Sequence, residues 1–525
     1  MPNCVALRYV CCTARENALK PADTDRVSGK TPDAAVASYA YSTANRGKAA
    51  IKGVFWSGLN VLVPTTVSAI VFVVSSRILG PTEFGLVALA TSIVAFTLAF
   101  APGALGEVLV QQANLKQRHL DSVFWVCVGC GTAFYILLLL VFFSWPGDVF
   151  VDPQVRTLLP LLGLRLIFDL AATVPNALII RSMSFHQMAL RTISSSLISA
   201  CLCIALLFAG YGIWALAISQ LSISVVSFVV AFWSVNWRPG LNFSADAFRD
   251  VWRTGLFASG NRLLQMMSID QMLIGFLAGP AALGIFNFAR RLFSLINDLI
   301  GASFANVSHS LLSSLQSERD KAKEAFLLAS FASAAASFGA FGGLGAIAGD
   351  VIPVVFGDNW VSAVQPVQAF CAMGLLSSIG LVQWALISSQ GRNDRWFYYQ
   401  AISQALTLVV VLAVADRGVF AITCAIAAKT FLVFPAAIML SVQTLHIDVK
   451  RYLAQFVSPT VATLAMLAVL YLISPYLSEM AAWERIGTKI LLGATCYLAV
   501  LLVLSRQRVR VLLELLVNRR KAAAA

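Results

Sequence analysis

The sequence predicts an all-α integral membrane protein: fourteen transmembrane helices, in two six-helix repeats set parallel to one another, followed by a C-terminal helix pair. Two observations predict the class. The 525 residues are 59% hydrophobic and only 12% charged, about half the charged share of an ordinary soluble domain. After residue 53, apolar runs of about 20 residues, each long enough to cross a ~30 Å hydrocarbon core, follow one another along nearly the whole chain. These runs are too long for barrel strands, and lipid offers no partner to an open backbone, so the segments are helices. A third observation predicts the repeat. Gly80-Pro81 with Gly85 returns as Gly279-Pro280 with Gly284, Gly147-Asp148-Val149 returns as Gly349-Asp350-Val351, and Gly212-Ile213-Trp214-Ala215 returns as Gly418-Val419-Phe420-Ala421. The three echoes keep their order at offsets of 199, 202 and 206 residues, the signature of a duplication.

In chain order, residues 1–52 are rich in Ala, Ser and Thr, carry eight Lys or Arg against four Asp or Glu, and hold no apolar run long enough for a signal-peptide core. They read as a disordered cytoplasmic arm; a start codon placed upstream of the true one accounts for the same stretch. The N-terminal lobe, 53–233, supplies spans near 54–76, 84–102, 121–143, 156–180, 192–209 and 212–233. A cytoplasmic linker, 234–253, carries Trp237 and Pro239. The C-terminal lobe, 254–441, adds spans near 254–277, 282–304, 326–348, 361–388, 397–415 and 418–441. Residues 442–505 hold the extra pair, near 457–474 and 486–504, and 506–525 form a basic tail.

Orientation follows from the connectors. One side collects Lys116, Arg118, Arg181, Arg191, Arg238, Arg249, Arg253, Arg319, Lys321, Lys323, Arg392, Arg395, Lys450 and Arg451, while the other holds little beyond Arg77, Arg156, Arg417 and Arg485. The basic side is expected to be cytoplasmic, with both termini there, and the protein to sit in the cell's inner membrane. Six spans per repeat is an even number, so both repeats enter in the same sense, as in transporters whose parallel repeats flank a central cavity.

A charge at mid-bilayer costs about 2.5–3.5 kcal/mol on insertion scales, so one found there faces protein or water. Arg165 and Asp169 stand four apart in the fourth span, on one helix face. Arg262 and Asp270 lie two turns apart in the seventh; Arg290 and Arg291 precede Asp298 in the eighth; Lys429 stands midway along the twelfth. Each Arg could pair with its own helix's Asp and simply hold the bundle together. Arg290 and Arg291 resist that account, because adjacent side chains diverge by about 100° on a helix and one Asp does not neutralise both. Arg also presents the fork suited to phosphate. Arg291, Arg290, Arg262, Lys429 and Arg165 are therefore candidate cavity residues for an anionic substrate. Asp270 and Asp169 are candidates for coupling to a proton or cation.

Composition excludes other classes. The net charge of +13 sits in short connectors and not on a soluble basic face, so nucleic acid is not the partner. Cys127 and Cys130 fall inside an apolar run and read as buried thiols, the four histidines are scattered, and no G-x-x-x-x-G-K-[ST] loop is present. Neither metal nor any other cofactor is expected.

The residues also resemble a known family, the polysaccharide transporters of the multidrug/oligosaccharidyl-lipid/polysaccharide exporter superfamily, which include Wzx-type O-antigen and exopolysaccharide flippases. The likeness spans about residues 53–440 and rests on Arg77-x-Leu79-Gly80 with Phe84-Gly85, Val174-Pro175 followed by Arg181 and Phe185, and Gly212-x-Trp214-Ala215. It continues through Trp237-Arg238-Pro239, Asp270 with Gly275, Leu283-Gly284-x-Phe286-Asn287-x-Ala289-x-Arg291-Leu292, Phe356-Gly357 with Trp360, and Gly391-Arg392. The resemblance implies a MATE/flippase-like fold that moves an undecaprenyl-pyrophosphate-linked oligosaccharide between leaflets by alternating access. It also implies membrane lipids, a polysaccharide polymerase and a chain-length regulator as partners. Phe286 and Ile296 depart from the family's usual Tyr and Pro, the second leaving the eighth helix without a proline kink.

Two other classes compete. A multidrug antiporter binds cations and calls for carboxylates and aromatics in its cavity, whereas these spans offer a comparable number of Arg and Lys. A polysaccharide polymerase is an enzyme with a large periplasmic loop, and the longest such connectors here have about a dozen residues. No catalytic activity is expected.

Overall fold

The computed structural model describes residues 46–510 apart from 104, 113–114, 145–151, 242–243, 245–268 and 316–317. The N-terminal arm up to residue 45, most of the linker, Arg262 and the tail beyond residue 510 lie outside the described residues. All regular structure among those described is helical.

The N-terminal half comprises α1 (Arg46–Ile78), α2 (Pro81–Ala99), the short α3 (Leu105–Gln111), α4 (Gln117–Ser144), α5 (Pro153–Ala171), α6 (Thr173–Arg181), α7 (Phe185–Phe208) and α8 (Ile213–Ser234). The rest comprises α9 (Ile269–Leu277), α10 (Pro280–Ser314), α11 (Arg319–Val351), α12 (Val364–Ser389), α13 (Asn393–Val414), α14 (Val419–Leu445), α15 (Val449–Ile473) and α16 (Ala482–Leu504). Among the described residues twelve spans are long and apolar enough to cross a membrane, α5 and α6 counting as one. Two of the fourteen expected spans stand apart from these. Among the described residues the seventh is represented by α9, its C-terminal end. The eighth, α10, has 35 residues, ~52 Å of helix, but carries Arg290, Arg291 and Asp298 and so is not uniformly apolar.

The expected single span over 156–180 is broken at residue 172. Pro175 supplies the reason: it lacks an N–H, and its ring clashes with the carbonyl four residues back, that of Ala171, where α5 ends. The seven-residue α3 was not expected, and buried Arg181 holds it. Its Nη1 donates to the carbonyls of Leu109 (3.1 Å), Val110 (3.1 Å) and Gln112 (2.6 Å), placing a cation on the partly negative C-terminal end of that helix.

Within the N-terminal half α2 packs on α5, α5 on α4 and α8, and α7 on α1 and α8; in the C-terminal half α12 packs on α10, α11 and α14. The pair α15 and α16 lies against α11. The halves meet where the first sequence echo falls. A Cβ added to Gly85 would lie 1.7 Å from the Pro280 carbonyl oxygen, and one added to Gly284 would lie 1.8 Å from that of Pro81. Only glycine permits two backbones this close, and the contact is reciprocal. Beside it, Phe72 and Phe84 of the first half pack against Phe288, Phe356 and Trp360 of the second, with Phe288 and Trp360 stacked at 4.2 Å. All these residues lie toward the end of the bundle that carries Gly80 and Gly279, here called the Gly80 face.

Candidate functional site

Below that closure, at the depth where a bilayer is driest, sits a set of charges. Counted along their helices from the Gly80 face, Arg290 and Arg291 lie ten and eleven residues past the start of α10 and Lys429 ten past the start of α14, ~15 Å deep at the helical rise. Arg165 lies twelve residues into α5, at similar depth.

The C-terminal half brings three of these together. Arg290 Nη1 donates to Asp270 Oδ2 at 2.8 Å, across from α10 to α9. Lys429 lies within electrostatic reach of that carboxylate and donates to the Ser403 hydroxyl (3.2 Å) and carbonyl (3.4 Å) of α13. Arg291, on the next face of α10, donates instead to the Ser68 hydroxyl of α1, in the other half. Among the described residues no carboxylate lies within 4.0 Å of Arg291; Asp298 acts on it from farther away. Two cations, Arg290 and Lys429, thus share the Asp270 carboxylate, and Arg291 is a third cation on the adjoining face of α10.

The N-terminal half balances its charge. Arg165 donates through Nη1 to Gln220 Oε1 (3.0 Å) and through Nε to the Ser224 hydroxyl (3.2 Å), both on α8, and reaches Asp169 only at 3.9 Å. Ser224 also bonds Asp169. A second cross-half contact, Ser92 hydroxyl to Gln271 Oε1 at 2.8 Å, joins α2 to α9.

Among the described residues, an Arg within 4.0 Å of its own helix's Asp is seen only for Arg165 with Asp169, at 3.9 Å, while Asp298 acts on Arg291 from farther away and Arg262 lies outside the described residues. Asp270 finds its partner on a neighbouring helix, because side chains at this depth answer to the nearest counter-charge in space. Sequence reasoning named the charges and missed their neutral partners. Ser68, Gln271 and Ser403 are single polar residues in apolar runs and carry no signal of their own. Gln220 and Ser224, four apart in one span, form a readable polar stripe.

Comparison with known proteins places this geometry. Residues 74–365, more than half of the chain, match the family model described as polysaccharide biosynthesis protein. The chain belongs to that family. The match covers Arg77, the Gly85 and Gly284 crossing, Asp270, Arg290, Arg291 and Trp360. Among relatives of the family member described here, the teichuronic acid biosynthesis protein TuaB of Bacillus subtilis (strain 168) is 23% identical over 464 residues, 86% of this chain and 95% of that protein. The lipopolysaccharide biosynthesis protein WzxC of Escherichia coli (strain K12) is 21% identical over 370 residues, 69% of this chain and 74% of that one. The lipid II flippase MurJ, in an inward closed conformation, shares the fold with a TM-score of 0.69 at 14% identity, covering 87% of this chain and all of MurJ.

Proposed function

We propose that this family member is a fourteen-span inner-membrane flippase that carries undecaprenyl-pyrophosphate-linked oligosaccharide units across the membrane for exopolysaccharide or O-antigen assembly, by alternating access between two lobes. The observation that carries this reading is the surplus of positive charge ~15 Å into the helices: Arg290 and Lys429 share Asp270, and the neighbouring Arg291 has no carboxylate within 4.0 Å among the described residues, Asp298 acting on it from farther away. In lipid such a surplus costs several kcal/mol. A doubly charged phosphate head, taken up from the inner leaflet, offsets that cost and is held by the bidentate geometry of guanidinium. Arg291 is the principal ligand in this reading, since its side chain bonds a hydroxyl, that of Ser68, which an anion readily replaces. Arg165 adds positive charge in the first lobe, Arg262 stays a candidate outside the described residues, and first-lobe hydroxyls such as Thr91, and Ser92 once its bond to Gln271 opens, are offered to the sugars. Asp270 and Asp169 are carboxylates poised to take a coupling proton or cation. Polymerase and chain-length regulator are the partners downstream.

A cation antiporter would need the opposite balance, a surplus of carboxylates in the same place. The test is export of polysaccharide by variants of Arg291. Arg291→Lys keeps the charge and loses the fork, and partial export is expected; Arg291→Ala is expected to lose most of it at unchanged membrane abundance. Normal export by a stably inserted Arg291→Ala chain sinks the assignment.

A further inference from the structure

We infer that Arg77 and Trp360 form a reciprocal latch in which each half of the molecule caps a helix end of the other, holding the Gly80 face shut. This inference rests on the alternating-access reading. Arg77 is the penultimate residue of α1 and reaches into the second half, where Nε donates to the Val355 carbonyl at 2.7 Å and a terminal nitrogen donates to the Val354 carbonyl. Those carbonyls belong to the last helical turn that extends α11, residues Ile352–Phe356. The indole Nε1 of Trp360 reaches the other way and donates to the Ser76 carbonyl, in the last turn of α1, at 2.7 Å.

Helix ends leave their final carbonyls without partners inside the helix, and they carry the negative end of the helix dipole. Within α1 the Ser75 carbonyl is taken by the Leu79 amide, and that of Ser76 is taken by the opposite half's indole. Two helix termini that would otherwise need water are thus satisfied across the interface, and opening the halves returns all three bonds to solvent. Trp360 is fully buried, stacked on Phe288 and edge-on to Phe84, so its donor has no water to turn to while the face is closed. Arg77 is exposed at the rim and exchanges its carbonyls for water at lower cost. The latch therefore has a strong buried arm and a reversible wet arm. Trp360 packs on Phe84, next to Gly85 of the crossing, and Arg77 ends α1, so the latch lies nearer the Gly80 face than the charged cluster does. Release of the latch is the step that would let a substrate held at mid-membrane leave by that face.

The test uses the full-length chain with Ser68→Cys as a reporter, since residue 68 faces Arg291 beneath the latch. A membrane-impermeant maleimide is added to intact cells, and labelling is measured above that of the otherwise identical chain that keeps Ser68. Trp360→Phe keeps a stacking ring and removes one neutral hydrogen bond, so labelling should quicken roughly five-fold. Arg77→Gln removes two bonds at the exposed rim, where water replaces them at lower cost, and should quicken it less, about two- to three-fold, with Arg77→Lys between that variant and the unaltered chain. If Arg77→Gln lowers membrane abundance, Trp360→Phe decides. Unchanged labelling in both variants at equal abundance, in a chain that still exports polysaccharide and whose Tyr476→Cys form reacts from outside, overturns the latch and leaves the transport reading intact. Quickened labelling in a chain whose unaltered form exports no polysaccharide leaves the latch standing and sinks the transport reading.

Discussion

A methyl group at position 284 has no room, since it would stand 1.8 Å from the Pro81 carbonyl oxygen, and one at position 85 fares no better against Pro280. Alanine in a helix interior is ordinarily worth about 1 kcal/mol over glycine. Here the backbones of α2 and α10 must part to admit it, so Gly85→Ala and Gly284→Ala should lower the unfolding temperature of the detergent-purified protein. Gly343→Ala, also mid-helix but with nothing within 4 Å, should leave it unchanged or raise it. Equal behaviour of all three would remove the close crossing. Asp270 poses a different question at the same scale. Its carboxylate holds Arg290 at 2.8 Å, yet that side chain is 40% exposed, so the pair is not sealed inside the protein and can be broken without loss of the fold. Asp270→Asn should keep membrane abundance and weaken the dependence of export on the proton or sodium gradient; a fall in abundance would assign the residue to structure instead.

Helices in this chain are tied by few polar contacts, which makes each tie consequential. Asp350, in the last turn of α11, binds Arg485 Nε at 3.0 Å and Lys489 Nζ at 2.6 Å, both on α16, and Lys489 is itself buried. Removing one partner of a buried pair costs about 3–5 kcal/mol because the other charge is left uncompensated. Asp350→Asn should therefore destabilise the detergent-purified protein toward the lower end of that range, Arg485 and Asp350 being partly exposed. Pairing Asp350→Leu with Lys489→Met should recover most of the loss. The elements themselves were largely legible: hydrophobic length located the apolar spans, and a proline rule accounts for the break before Pro175. The ties were not. Asp350 was noticed as one half of an echo and Arg485 only as a stray charge in a connector, and nothing in the spacing of 135 residues says that they meet. Arg181 was counted toward topology, yet it is buried and caps α3, a role set by a seven-residue helix too short to leave a periodic trace.

Across the whole molecule, the first sequence echo falls where the two halves touch. Gly85 and Gly284 meet each other, and at mid-depth the same helices repeat the exchange: α2 reaches α9 through Ser92 and Gln271, while α10 reaches α1 through Arg291 and Ser68. Such reciprocity is what two repeats entering the membrane in the same sense produce. The charges break it, for Arg291 aligns in the repeat with Ser92, and only one side of the interface is cationic. An asymmetric site inside a near-symmetric frame has a direction, and the direction depends on which way the Gly80 face points. The connectors gather Lys and Arg at the end opposite that face, and the positive-inside rule therefore predicts Gly80, Gly279 and the α15–α16 turn outside. Cysteine at Tyr476, 85% exposed in that turn, should react with an impermeant maleimide in intact cells. Cysteine at Lys321, whose side chain is 71% exposed at the start of α11, should react only after permeabilisation. The reverse pattern would turn the protein over in the membrane, and the latch would then guard the inner entrance in place of the outer exit.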